Sequence, residues 1–86
     1  MNDDELRRVV TATLSQIAPE ADVGALDGDV DLQEELDIDS MDFLTFVTAM
    51  HRRLGINVPE TDYGKLATLD KAVAYFEAKL AKKAGP

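Results

Sequence analysis

Apolar residues recur at spacings of three and four in three separate stretches of this chain, and that period commits it to amphipathic helices. Leu6, Val9, Val10, Thr13, Leu14 and Ile17 form the first stripe. Phe43, Phe46, Val47, Met50 and Leu54 form the second, and Leu69, Ala72, Val73, Phe76 and Leu80 the third. Only Ile56 and Val58 alternate as a strand would, and no second such pattern exists to pair with them. A chain of 86 residues supports one modest core. The expected fold is all-α: a small four-helix bundle of three main helices plus one short helix, with a long loop between the first and second. It forms a single domain over residues 1–86, with a frayed C-terminus at about 82–86.

Capping signals set the boundaries. Asn2 or Asp3 caps the first helix, the acids at 3–5 suit its dipole, and Pro19 closes it. Residues 18 to 39 form a long connection carrying Pro19, Gly24 and Gly28. A loop this long in so small a domain is often functional. Its scattered apolar residues, Val23, Leu26, Val30, Leu32, Leu36 and Ile38, pin it to the core. Asp39 caps a second helix from about Ser40 to Leu54, which Gly55 ends. An extended link, Gly55 to Pro59, leads to a short helix from Glu60 to about Leu66. The last helix runs from about Thr68 to Ala81, with Thr61 or Thr68 capping neighbouring turns.

Composition excludes several functions. No apolar run approaches ~18 residues, so no membrane span is expected. No charged-then-apolar leader opens the chain, and a cytoplasmic protein is expected. The absence of cysteine fits a reducing compartment and excludes disulfides, thiolate metal sites and cysteine nucleophiles. Seventeen acids against nine bases give a net charge of −8, which makes nucleic acid a poor partner. The charge is uneven. Eight acids and no base lie between Asp27 and Asp42, whereas residues 51–86 hold four acids and seven bases. The acidic stretch reads either as a solvated loop or as a docking face for a basic partner.

Few residues carry chemistry. The single histidine, His51, sits beside Arg52 and Arg53 with no adjacent nucleophile, and reads as exposed and uninvolved. Asp27, Asp29 and Asp31 match the first three ligand positions of an EF-hand loop. Leu32 and Ile38 stand where that loop needs glycine and a bidentate glutamate, so an EF-hand is rejected and no metal site is assigned. Weak divalent binding by the clustered acids is left open, and salt or divalent ions are expected to stabilise the chain. That leaves Ser40. Read locally it is a helix-capping serine in the run Leu36-Asp37-Ile38-Asp39-Ser40-Met41-Asp42.

This run resembles the hallmark of the acyl carrier protein family, a D-S-L tripeptide opening the second helix, here with Met41 in place of leucine. Gly55-Ile56-Asn57-Val58-Pro59 looks like the family's link to its short third helix, and Leu66-Ala67-Thr68-Leu69 like the lead-in to its last helix. The likeness covers about residues 5 to 81. It implies a non-catalytic carrier whose Ser40 receives 4′-phosphopantetheine from coenzyme A through a separate phosphopantetheinyl transferase. The arm's thiol would then hold acyl groups as thioesters for acyl-loading and acyl-processing enzymes of fatty acid, lipid or polyketide-type biosynthesis. It further implies that Asp39 helps engage the transferase and its magnesium, and that Met41 and Asp42 contact partners. An acyl chain would slip between helices past Phe43, Phe46, Val47, Met50, Leu66, Ala72 and Phe76, most of which read more simply as plain core.

One departure matters. Family members of fatty acid synthesis carry glutamates along the second helix, where this chain has Thr45, Thr48, Arg52 and Arg53. Like-charge contacts suppress wrong partners, so a specialised carrier with dedicated enzymes is expected. The chain is expected to act free-standing and as a monomer. Alternatives are an aminoacyl or peptidyl carrier, an unmodified helical adaptor, and a small enzyme built on His51 and carboxylates.

Overall fold

The computed structural model describes residues 2–84, the side chains of Lys83 and Ala84 apart. The elements are α1 (Asp3–Ile17), a 3₁₀ turn (Val23–Ala25), α2 (Leu32–Glu35), α3 (Ser40–Leu54), a 3₁₀ helix (Glu60–Leu66) and α4 (Leu69–Ala84). The fold is the expected helical bundle. Asn2 caps α1, its side-chain oxygen accepting from the Glu5 N–H at 2.8 Å. The helix stops at Ile17, one residue short of the position before Pro19. Thr68, not Thr61, supplies the expected threonine cap, its hydroxyl accepting from the Lys71 N–H at 3.1 Å. α4 continues three residues past the expected end at Ala81, to Ala84. Gly85 and Pro86, part of the stretch expected to fray, lie outside the described residues.

The stripes meet in one core. Leu6, Val10, Leu14, Leu32, Phe46, Met50, Leu66, Ala72 and Phe76 are fully buried. α1 packs on both α3 and α4, and the Glu60–Leu66 helix packs on α4. Thr13 is buried within the α1 stripe without cost to satisfaction, because its hydroxyl donates to the Val9 carbonyl at 2.7 Å. Ile56 and Val58 point into the core from an extended link, with Asn57 exposed between them. Their alternation is therefore strand-like burial without a paired strand.

The long connection is more structured than a plain loop. Its one-turn α2 is capped by Asp31, whose carboxylate accepts from the Glu34 N–H at 3.0 Å. Two backbone bonds stitch the connection to the start of α4: Leu32 N–H to the Ala67 carbonyl, 2.8 Å, and Asp70 N–H to the Gly28 carbonyl, 2.9 Å. A Cβ on residue 28 would collide with the Asp70 carboxylate, which explains the glycine. That carboxylate in turn takes a 2.7 Å bond from Arg7, which also reaches Asp3 at 3.2 Å. These contacts hold the far end of the connection while its near end delivers residue 40.

Candidate functional site

α2 ends in a tight reversal that aims the chain at Ser40. The Asp37 N–H bonds to the Glu34 carbonyl at 3.3 Å and the Ile38 N–H to the Gln33 carbonyl at 3.1 Å, the paired pattern of a Schellman turn. The turn requires a left-handed residue, and Asp37 takes that role at φ 52°. Aspartate tolerates this region better than most side chains, though less well than glycine. Leu36 and Ile38 are buried on either side of it. The next two residues, Asp39 and Ser40, therefore emerge at the surface from an anchored stem.

Asp39 is the N-cap of α3, its carboxylate accepting from the Asp42 N–H at 2.9 Å. Ser40 is the first helical residue and is exposed. Among the described residues its hydroxyl has no partner, and the backbone N–H groups of Ser40 and Met41 have none either. A free hydroxyl beside unpaired helix N–H groups suits a phosphate ester, which the helix dipole stabilises. Ser40 also opens onto a cleft of about 350 Å³. Phe43, Leu44, Glu60, Tyr63 and Gly64 line it, with Tyr63 meeting Phe43 edge-on at a ring separation of 6.2 Å.

The other candidate residues fall into two groups. Phe46, Met50, Leu66, Ala72 and Phe76 are closed core, and Val47 is nearly so. Of the seven expected to border an acyl chain, Phe43 alone lines the cleft beside Ser40. Met41, by contrast, is 77% exposed and takes no part in the core. Asp42 is half-buried, and Arg52 and Arg53 are exposed on the last turn of α3 with no ion-pair partner among the described residues. Leu44, Glu60 and Tyr63 were not singled out by sequence reasoning. The register of Leu44, off the Phe43–Phe46–Val47–Met50 stripe, was the available signal for it.

Two chemical alternatives lose their basis in the geometry. His51 and Ser40 stand eleven residues apart on one helix, roughly 16 Å along its axis, too far for proton transfer. The His51 ring is engaged instead, its Nδ1 donating to the Ile56 carbonyl at 2.9 Å. His51 is exposed, as expected, and its ring fastens the turn after α3. The acidic loop offers no three-ligand metal cluster among the described residues. Of its acids, Asp31 and Asp39 act as helix caps and Asp37 as the left-handed residue.

Residues 7–76 match the family model described as a phosphopantetheine attachment site. The chain belongs to the acyl carrier protein family. An acyl carrier protein of Campylobacter hominis is 34% identical over 74 residues, covering 86% of this chain and 87% of the relative. One from Streptomyces coelicolor is 33% identical over 82 residues, covering 95% and 85%. One from Trieres chinensis is 29% identical over 82 residues, covering 95% and all of the relative. This family is one of carriers rather than catalysts, and its prosthetic group is a covalently attached 4′-phosphopantetheine. The free hydroxyl, the unpaired N–H groups and the adjoining cleft fit that group. No helix among the described residues is long and apolar enough to cross a membrane.

Proposed function

We propose that Ser40 is the attachment residue and that the chain carries acyl groups as thioesters for dedicated enzymes of fatty acid, lipid or polyketide-type biosynthesis. The observation that carries this reading is the exposed, unpartnered Ser40 hydroxyl at the start of α3, inside the matched family region. A separate phosphopantetheinyl transferase supplies the base and the metal, which is why Ser40 needs no catalytic neighbour of its own. Asp39 and Asp42 repel the phosphodiester, so their contribution lies with the transferase and its magnesium. The cleft at Ser40 receives the start of the cargo, with Phe43 and Tyr63 as its aromatic wall and Phe46, Val47, Met50, Leu66, Ala72 and Phe76 behind. The protein works in the cytoplasm as a monomer.

Intact mass after incubation with coenzyme A, magnesium and a broad-specificity transferase tests the assignment. The wild type should gain one phosphopantetheine and Ser40→Ala none. Gain by Ser40→Ala would move the attachment elsewhere. No gain by the wild type with several transferases would favour the unmodified adaptor.

A further inference from the structure

The chain has three methionines and no cysteine, so thioethers are the oxidisable sulfurs of the polypeptide itself. Two of them lie on α3 in opposite settings. Met50 is fully buried in the core, whereas Met41 is 77% exposed. A close-packed interior shields a sulfur from an oxidant in solution, and a solvated side chain has no such shield. Leucine, which the family hallmark has at this position, would fill a similar volume with no sulfur to oxidise. The acids beside Met41 also select the oxidant. Asp39 and Asp42 repel anionic oxidants, but hydrogen peroxide is uncharged near neutral pH and meets no such barrier.

The place of Met41 gives its oxidation a consequence. It follows Ser40 directly, on the first turn of α3. Helical side chains tilt toward the N-terminus, so its thioether leans to the end where the Ser40 hydroxyl is free and the Ser40 and Met41 N–H groups are unpaired among the described residues. Unoxidised, Met41 is a flexible apolar side chain at that end. Oxidised, it is polar and carries an oxygen that accepts hydrogen bonds. That oxygen competes for the N–H groups that favour an incoming phosphate, and an enzyme reaching Ser40 must desolvate it.

We infer that Met41 is a reversible oxidation site and that its sulfoxide slows phosphopantetheine transfer to Ser40. The second half rests on the carrier reading. In the forward step a sulfur lone pair attacks one oxygen of hydrogen peroxide and the O–O bond breaks as the S–O bond forms. The departing hydroxide takes the remaining proton and leaves as water. Sulfur loses two electrons and the peroxide gains them. In the reverse step a methionine sulfoxide reductase removes the oxygen as water while two thiols close to a disulfide. The sulfoxide has two epimers, so both classes of reductase are needed.

Treating the full chain with dilute hydrogen peroxide, then mapping the added oxygen by peptide mass, tests the first half. Met41 should oxidise faster than Met50 by on the order of tenfold or more, as exposure dictates. The singly oxidised chain is next given coenzyme A, magnesium and a broad-specificity transferase. Its transfer rate should fall on the order of three- to tenfold, the part of an apolar contact that a sulfoxide gives up. Both reductases together should restore the rate. The urea midpoint should not move on oxidation, since Met41 takes no part in the core. Met41→Leu, whatever its own rate, should load equally before and after peroxide, which also excludes an effect of oxygen at Met1. Oxidation of Met50 as fast as Met41 would overturn the proposal. So would an oxidised chain that loads at the untreated rate, or a Met41→Leu chain slowed by peroxide as much as wild type. An untreated chain that takes up no phosphopantetheine would overturn the carrier reading and the second half with it, while the order of oxidation at Met41 and Met50 still decides the first.

Discussion

α1 and α3 are each fifteen residues long, and each is capped by a side-chain oxygen that accepts from the N–H three residues on. Each buries one apolar stripe in the same core. Their outer faces differ. α1 shows small and polar residues, and its Arg7 is tied to Asp3 and Asp70. α3 shows Met41, Leu44 and two unpaired arginines, and begins with a serine whose hydroxyl is free. The inner faces answer to folding and look alike for that reason. The outer face of α1 is small and polar, while that of α3 leaves two large apolar side chains and a free serine hydroxyl at the surface.

The contrast between the two sides of α3 should give the largest effect. Phe46→Ala should cost about 3–5 kcal/mol in urea unfolding, the usual price of an emptied aromatic site. Met41→Ala should stay within about 0.5 kcal/mol, as exposed positions do. A Met41→Ala variant destabilised like a core variant would erase the distinction between the faces. Next come the caps. Asn2→Ala and Asp39→Ala should each lose ~1 kcal/mol, since each removes one N-cap acceptor. Only Asp39→Ala should also slow phosphopantetheine transfer by a separate transferase. Equal transfer rates in the two variants would make Asp39 a cap and nothing more.

The smallest effect is a pH dependence on the far side of the bundle, where neither α1 nor α3 takes part. Tyr75 on α4 donates to the Asp62 carboxylate at 2.8 Å, and Lys65 lies 3.3 Å from the same group. The Tyr75 hydroxyl bond, helped by Lys65, holds Asp62 below its ordinary 3.8. Burial, then Asp62, pushes Tyr75 from 10.0 up to about 12. A raised folded pKa gives stability that is complete below pH 10.0 and is lost as pH climbs through about 12. A depressed carboxylate gives stability present above 3.8 and lost as pH falls through its lower folded value. Tyr75→Phe removes both contributions. Its deficit against wild type in urea midpoint should be greatest from about pH 5 to 9 and shrink at both extremes. A deficit constant from acid to alkali would show the pair to be unimportant.

The three long helices were legible because each repeats its apolar residues over four turns, enough for the period to show. The one-turn α2 and the Val23–Ala25 turn were not. So short a segment carries no period; α2 is tied by the Leu32 N–H to the Ala67 carbonyl, distant in sequence, while the Val23–Ala25 turn closes through local bonds to Asp22 and Val23. Ser40 was legible through the run from Leu36 to Asp42, which is local in sequence. The cleft beside it was not, since Glu60, Tyr63 and Gly64 reach it only after the chain has folded back. Leu44 shows the same limit. A leucine on a helix reads as buried until the packing of its neighbours leaves it out.

The Asp37 turn has a mechanical consequence. Three successive N–H groups, those of Leu36, Asp37 and Ile38, bond back into α2, and the side chains of Leu36 and Ile38 are sunk in the core. On the attachment proposed above, the arm on Ser40 is a lever, and a lever magnifies any play at its fulcrum. Slack of a fraction of an ångström there would be multiplied at the thiol and smear the cargo over a wider volume. By clamping the fulcrum, the chain confines the search to the arm's own rotations, and aiming then depends on how the whole domain is seated.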